Sequence, residues 1–330
     1  MQRTSGSNNL GILLLNLGGP DSPEAIKPFL RSLLSDPDMV AMPGGALLRL
    51  PFAYAVSHFR SRKVRDRYDL IGGKSPITEI TTAQADRLHD ELSQRGLSCR
   101  TYVAMRHWHP RTEDAIDRLS ADGIDHVVAL PLYPQYSRAT TGSSLSELRR
   151  VLRKKGSELK VMEIENFHDH PAYLDALTAS LDEALRTIPD GRREGTRVVF
   201  CAHSLPMKMI EAGDPYEDQV RATVDGVIER IGPVKWHLGY QSRTGPVRWL
   251  GPSLEALVER LAASGVKDLV VVPLSFVSDH IETLWEIDIA CRQYAESLGI
   301  ETFLRIDAFN DSPGFISALA QIVLDKITVR

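Results

Sequence analysis

HVVALPLY, residues 126–133, returns 142 residues later as DLVVVPLSF, residues 268–276. Each is a near-continuous apolar run ending on Pro-Leu, at Pro131-Leu132 and Pro273-Leu274. Runs of this length without polar alternation read as strands buried on both faces, hence parallel strands covered by helices. The same shift carries Arg118-Leu119 onto Arg260-Leu261, Gly123-Ile124 onto Gly265-Val266, and Ala176-Leu177 onto Ala318-Leu319. Phe167, Asp169 and Pro171 fall on Phe309, Asp311 and Pro313, with no gap from about Pro110 onward. So many matches in one register are the mark of an internal repeat.

Working outward, GILLLNLG, CRTYVAMR and LKVMEIENF supply the other strands of the first half, and RVVFCAHS, KWHLGYQS and ETFLRIDAF those of the second. Helical patterns such as PEAIKPFLRSLL and PSLEALVERLAASG lie between them. Strands alternating with helices predict an α/β chain of two doubly wound parallel-sheet domains related by duplication. The domains are expected at 1–170 and 171–330, with the last helix a candidate to pack back on the first. Pro20 and Pro206, which close the two first strands, are 186 apart, 44 more than the shift that aligns the rest. An insertion between the first two strands, about 39–75, accounts for the excess. It pairs the apolar ALLRLPFAYAV with HFRSRKVRDRY, which carries five basic residues from Arg60 to Arg67. A helical hairpin packed on the domain explains it, and so does contact with an anionic membrane surface or with ligand carboxylates.

Bulk properties narrow the class. A 330-residue chain with 43% hydrophobic and 25% charged residues has the composition of a globular protein of about two domains. A net charge of −4 gives no reason to expect nucleic acid. Cys99, Cys201 and Cys291 are an odd number without metal-ligand spacing, which points to a reducing, cytoplasmic compartment. The apolar GILLLNL after the polar MQRTSGSNNL is too short to span a bilayer. Phosphate-loop, dinucleotide and zincin motifs are absent.

Chemistry concentrates at predicted carboxyl ends of strands, where doubly wound folds bind ligands. His203 closes RVVFCAHS, and its counterpart in the first half is Leu17-Gly18, so a histidine is not needed to make the turn. VSDHIETLWEID, residues 277–288, holds one histidine and four carboxylates. Asp279 and Glu282 have capping-box spacing, and Glu282 reads equally as a helix start. Glu286, four residues on, shares a helix face with Glu282, and two like charges there raise each other's proton affinity. His280 adds a metal ligand or proton carrier. The aligned positions in the first half are Ser137, Arg138 and Thr140. The aromatics Trp108, Tyr133, Tyr136, Trp249 and Trp285, at strand ends or just beyond, fit either core or the walls of a flat apolar pocket.

LNLGGP, YDLIGGKSPI, LPLYPQYSRATTGSS, FCAHSLP, GDPYEDQV, YQSRTGPVRWLGP and VSDHIETLWEIDI together resemble the ferrochelatase family over nearly the whole chain. The resemblance implies the chelatase fold, two Rossmann-like domains around a porphyrin cleft. It further implies insertion of Fe2+ into protoporphyrin IX to form protohaem, with release of two protons, the terminal step of haem biosynthesis. His203 is then the active-site histidine that binds metal or takes pyrrole protons, and Glu282 its acidic partner across the macrocycle, also a metal ligand. Asp279 and His280 support that wall, and Glu286 continues a line of acids outward. Tyr133 and Trp249 match residues that contact the macrocycle, and Arg60, Tyr68 and Ser75 match lip positions near the propionates. Fe2+ is a substrate and no cofactor is required. Some relatives carry a [2Fe-2S] cluster. Here no cysteine follows Cys291, and Arg138 stands where those relatives have an upstream ligand, so no cluster is expected. The position one turn beyond Glu286, often acidic in the family, is Ala290, so the acid line ends early or Asp288 substitutes. The apolar lip favours protoporphyrin IX over coproporphyrin III and implies peripheral contact with the inner membrane surface. Competing readings are a coproporphyrin III ferrochelatase, a non-catalytic tetrapyrrole carrier, and a cobalt or nickel chelatase.

Overall fold

The computed structural model describes residues 9–40, 45–243 and 245–328. The lip residues 41–44 fall outside them. Two four-stranded sheets are present, both wholly parallel. The first holds β1 (Leu10–Asn16), β2 (Arg100–Met105), β3 (His126–Pro131) and β4 (Lys160–Glu163) in the order β2-β1-β3-β4. The second holds β5 (Arg197–His203), β6 (Trp236–Gln241), β7 (Asp268–Pro273) and β8 (Thr302–Arg305) in the order β6-β5-β7-β8. The order is the same because the unit is the same: the quoted stretches become β3 and β7, each a central, fully covered strand.

Leu13, Leu15, Val127 and Ala129 pack with Ile116, Leu119 and Leu148 of the covering helices in the first unit. Val199, Cys201, Leu269 and Val271 pack with Leu254, Leu257 and Ile287 in the second. Two-faced burial is what the unbroken apolar runs require.

The insertion lies between β1 and β2. Starts of β1 and β2 are 90 residues apart, against 39 for β5 and β6, an excess of 51; the step from β6 to β7 is 6 longer than from β2 to β3, which restores the 142 shift. Its main element is one 25-residue helix, Gly45–Asp69, rather than a hairpin. Leu47, Leu48, Leu50, Phe52, Tyr54 and Phe59 on it are exposed. No helix among the described residues is long and apolar enough to cross a membrane.

The chain divides into two compact units, and the division does not follow two continuous halves. One unit takes the chain up to Tyr133, Arg138–Asn166 and the chain from Asp311; the other takes Pro134–Ser137 and Phe167–Asn310. The C-terminal helix Pro313–Thr328 thus belongs to the first unit, where it packs on helix Ile77–Gln94. Arg87 pairs with Asp311 at 2.8 Å, and Arg95 donates to Ser317 at 2.6 Å. Leu319 on this helix is fully buried. Leu319→Ala is expected to cost about 2–5 kcal/mol, seen as a lower midpoint in urea unfolding followed by circular dichroism; an unchanged midpoint contradicts this packing.

Candidate active site

The second unit gathers its polar side chains at the carboxyl ends of β5, β6 and β7. β5 is flanked by β6 and β7, with His203 opposite Gln241 and Cys201 opposite Pro273. His203, the last residue of β5, is therefore brought beside the segment that follows β7. Its Nδ1 lies 2.8 Å from Glu282 Oε2. A carboxylate only accepts, so the imidazole donates from Nδ1 and keeps Nε2 as its other nitrogen. Both side chains remain partly open, His203 at 33% and Glu282 at 24%.

This contact corrects one implication of the family resemblance. Glu282 does not stand across a macrocycle from His203; the two touch, because β5 and β7 are hydrogen-bonded neighbours and present their ends on one side. The capping-box reading of Glu282 also gives way. Asp279 accepts instead from the Thr283 hydroxyl at 2.8 Å and the Asn310 amide at 2.9 Å, and His280 N donates to Thr283 Oγ1 at 3.0 Å. The helix that follows, Glu282–Cys291, is a π-helix, a rare form found chiefly at functional sites.

Glu286 faces the end of β6. Ser242, in a left-handed conformation at φ 67°, donates to it from both its backbone N–H and its hydroxyl, each at 2.7 Å. Gln241 donates to the Glu282 carbonyl at 3.2 Å and accepts from the Cys201 thiol at 3.0 Å. Ser242 and Gln241 are not singled out from the sequence, where acids and histidines carry the argument; the signals are their place at a strand's carboxyl end and in the stretch YQSRTGPVRWLGP. Phe276, also unremarked, sets its ring edge-on to His203 and tilted against His280 at 4.6 Å. The buried His280 hydrogen-bonds the Ser278 carbonyl through Nδ1 at 3.0 Å, and its Nε2 is 4.0 Å from Glu282.

Electrostatics separates these groups. Burial works against charge on His203, but the charge and hydrogen bond of Glu282 overcome it and raise its proton affinity. Burial likewise opposes ionisation of Glu282, and His203 outweighs it, holding the carboxyl below its usual range. Glu286 is raised, first by burial and then by the charge of Glu282, against the two Ser242 hydrogen bonds. His280 is lowered by burial. Asp288 is no substitute in the acid line: Arg305 holds it at 2.7 Å and Arg292 at 3.2 Å.

Trp249 is half-buried in a segment zipped onto the loop after His203. Met207 N donates to the Arg248 carbonyl at 2.8 Å and Leu250 N to the Leu205 carbonyl at 2.9 Å. The Trp249 indole nitrogen is buried without a hydrogen-bond partner among the described residues. In the first unit, Tyr133 follows β3 and is partly open, its phenol pushed up by burial. Arg60 is exposed on the insertion helix. Tyr68 and Ser75, expected in the lip, are buried rather than open: Tyr68 is 2% exposed and Ser75 5%. Ser75 N donates to the Pro20 carbonyl at 2.7 Å, and a Cβ on Gly19 would meet the Ser75 side chain at 2.5 Å, so this serine fills the β1 turn.

Cys99, Cys201 and Cys291 are all buried free thiols, with Cys99 pushed up to about 11 and Cys291 to about 12, chiefly by burial.

A family model described as Ferrochelatase matches residues 9–327. A ferrochelatase of Geotalea uraniireducens (strain Rf4) is 49% identical over 312 residues, covering 94% of this chain and 96% of that protein. One of Geotalea daltonii is 48% identical over 96% of this chain and 98% of that one. Among solved structures, SirB from Bacillus subtilis with Fe3+ superposes with a TM-score of 0.57 over 96% of this chain and 95% of that one, at 12% identity. The sirohydrochlorin chelatase SirB in complex with cobalt gives 0.52 over the same shares, also at 12% identity. At that identity the likeness shows the fold.

The pair His203–Glu282 is charged between two limits. It is lost as pH falls through the depressed Glu282 value and as pH rises through the raised His203 value. In Glu282→Gln both raising effects of Glu282 are lost, and burial, the largest influence, then outweighs the remaining charge of Glu286, so the His203 titration midpoint is expected to move from above 6.5 to below it. Nitrogen-15 NMR of the histidine side chains over a pH series reads this directly. A midpoint that stays above 6.5 contradicts the assigned cause.

Proposed function

This chain belongs to the ferrochelatase family, and on that premise we propose that it inserts Fe2+ into protoporphyrin IX, with His203 and Glu282 as the working pair. The observation that carries the reading is the 2.8 Å His203–Glu282 contact at the strand ends. A free-base porphyrin must release two pyrrole protons as the divalent ion enters. His203, in the fraction deprotonated at Nε2, accepts a pyrrole proton or ligates iron, and Glu282 stabilises the imidazolium that forms. Glu286, with its raised proton affinity, is the next acceptor leading away. Asp279 and His280 support this wall. Trp249, partly open beside the loop after His203, contacts the macrocycle from this unit. No redox cofactor and no [2Fe-2S] cluster take part.

Substrate choice rests on the insertion. Its exposed apolar residues, Leu47 at 83% and Phe59 at 80% among them, suit the less polar protoporphyrin better than coproporphyrin III. They also suit peripheral contact of a cytoplasmic enzyme with the inner membrane surface. Arg60, Arg62 and Lys63 beside them form no ion pair among the described residues, so they remain available to anionic headgroups or to propionates.

Anaerobic assays with Fe2+ and either porphyrin, followed by the Soret shift, test the reaction. Protoporphyrin is expected to be the faster substrate, and His203→Ala to lose about 10²–10⁴ in kcat while porphyrin binding persists. A faster rate on coproporphyrin III sinks the substrate assignment, and an active His203→Ala sinks the role of the histidine. Replacing Leu47 and Phe59 together by Asp is expected to weaken co-sedimentation with anionic vesicles while leaving insertion in detergent intact. Equal co-sedimentation removes the lip from membrane contact.

A further inference from the structure

Arg305, the last residue of β8, ends in a place where an arginine is costly. Its side chain is 4% exposed. The guanidinium donates to two acids at once: to Asp288 Oδ2 from Nε at 2.8 Å and from Nη2 at 2.7 Å, and to Asp279 Oδ1 from Nη1 at 3.1 Å. It also donates to the Ile306 carbonyl at 3.2 Å. Asp279 lies three residues before Glu282 and Asp288 two after Glu286. The two acids therefore bracket the segment that bears both site carboxylates. Asp279 passes the constraint on, through Thr283 in the first turn of the π-helix.

The first unit provides an internal control. By the 142-residue shift Asp279 and Asp288 correspond to Ser137 and Ser146, and Arg305 corresponds to Glu163. Glu163 pairs elsewhere, with Arg149 at 2.8 Å. There the π-helical turn spans only Arg138–Gly142, five residues against ten in Glu282–Cys291. Where the two acids are missing, so are the arginine and the long π-helix.

We propose that Arg305 is a positioning residue for metal insertion: its planar fork clips the chain on either side of Glu282 and Glu286, at Asp279 and Asp288, and thereby holds Glu282 on His203 and Glu286 on Ser242. It touches neither substrate. The inference rests on the insertion reading above for its catalytic consequence, though not for the clip itself. A lysine at 305 keeps the charge, but a single ammonium cannot reproduce a fork that spans two carboxylates.

The test is Arg305→Lys in the full-length chain. Amide exchange across Glu282–Cys291 is expected to quicken at least about tenfold while β5 and β7 stay protected. In the anaerobic iron assay kcat is expected to fall about 10–100-fold, with KM for protoporphyrin unchanged. Unchanged exchange overturns the clip. Unchanged kcat, or a loss confined to KM, overturns the positioning role. If Arg305→Lys does not fold, Asp288→Asn removes one anchor and leaves the Arg305–Asp279 pair. It is then expected to show the same split in smaller measure, and wild-type behaviour overturns the proposal. A wild-type chain that inserts no iron counts against the insertion reading, and the exchange measurement still decides the clip.

Discussion

The parallel register of β5 between β6 and β7 is the constraint on which the candidate site depends. Parallel pairing turns three carboxyl ends to one side, so residues far apart in sequence meet there without any local pattern bringing them together. His203 and Glu282 are 79 positions apart and share a hydrogen bond; Ser242 and Glu286 are 44 apart and share two. A one-residue slip of β5 would turn His203 to the other face. The two-faced burial of these strands forbids such a slip, since Phe200, Cys201 and Ala202 have no exposed surface to trade.

Within that frame the four acids of residues 277–288 are answered in three different ways. Asp279 and Asp288 are neutralised by the buried Arg305. Glu282 is answered by a histidine, whose charge can leave. Glu286 has no cation of its own among the described residues and is met only by the dipoles of Ser242. A permanent cation makes an acid structural, a titratable one makes it switchable, and dipoles alone leave it inclined to take up a proton. The partner chosen for each acid, rather than the presence of acids as such, divides scaffold from chemistry here.

The fold was legible because its signals are local or periodic. Unbroken apolar runs such as HVVALP, and the exact recurrence of Pro-Leu, mark buried parallel strands and a duplication without tertiary information. His203 and Glu282 could be singled out from where their strands end. Their contact could not, since local spacing offered Glu282 a capping role from Asp279 and nothing in the sequence measures the distance from β5 to the turn after β7. The π-helix was equally hidden: residues four apart fall near one another in either helix type, so Glu282 and Glu286 read as an ordinary pair. Tyr68 and Ser75 misled for the opposite reason. Family position suggested an open lip, whereas both side chains are buried, that of Ser75 against Gly19. Arg305 gave no signal at all, because a lone arginine at a strand end usually reaches solvent.

The first unit shows what the same inventory does with its partners exchanged. Asp36, 2% exposed, accepts from Arg106 at 2.9 Å and from Ser143 at 2.5 Å. His107 is 3.5 Å away, fully buried, and pushed down to about 3, chiefly by burial and then by Arg106 and Arg111. Here burial first, and then the charges of Arg106 and Arg111, keep the histidine neutral at physiological pH. In the second unit the arginine takes the two outer acids and leaves Glu282 to His203, whose proton affinity rises instead. Burial works against charge on both histidines; at His203 a hydrogen-bonded carboxylate overcomes it, and at His107 none does. His107 follows β2 and His203 ends β5, different strands of the repeated unit, so their contrast lies in what surrounds each side chain and not in divergence at one duplicated position.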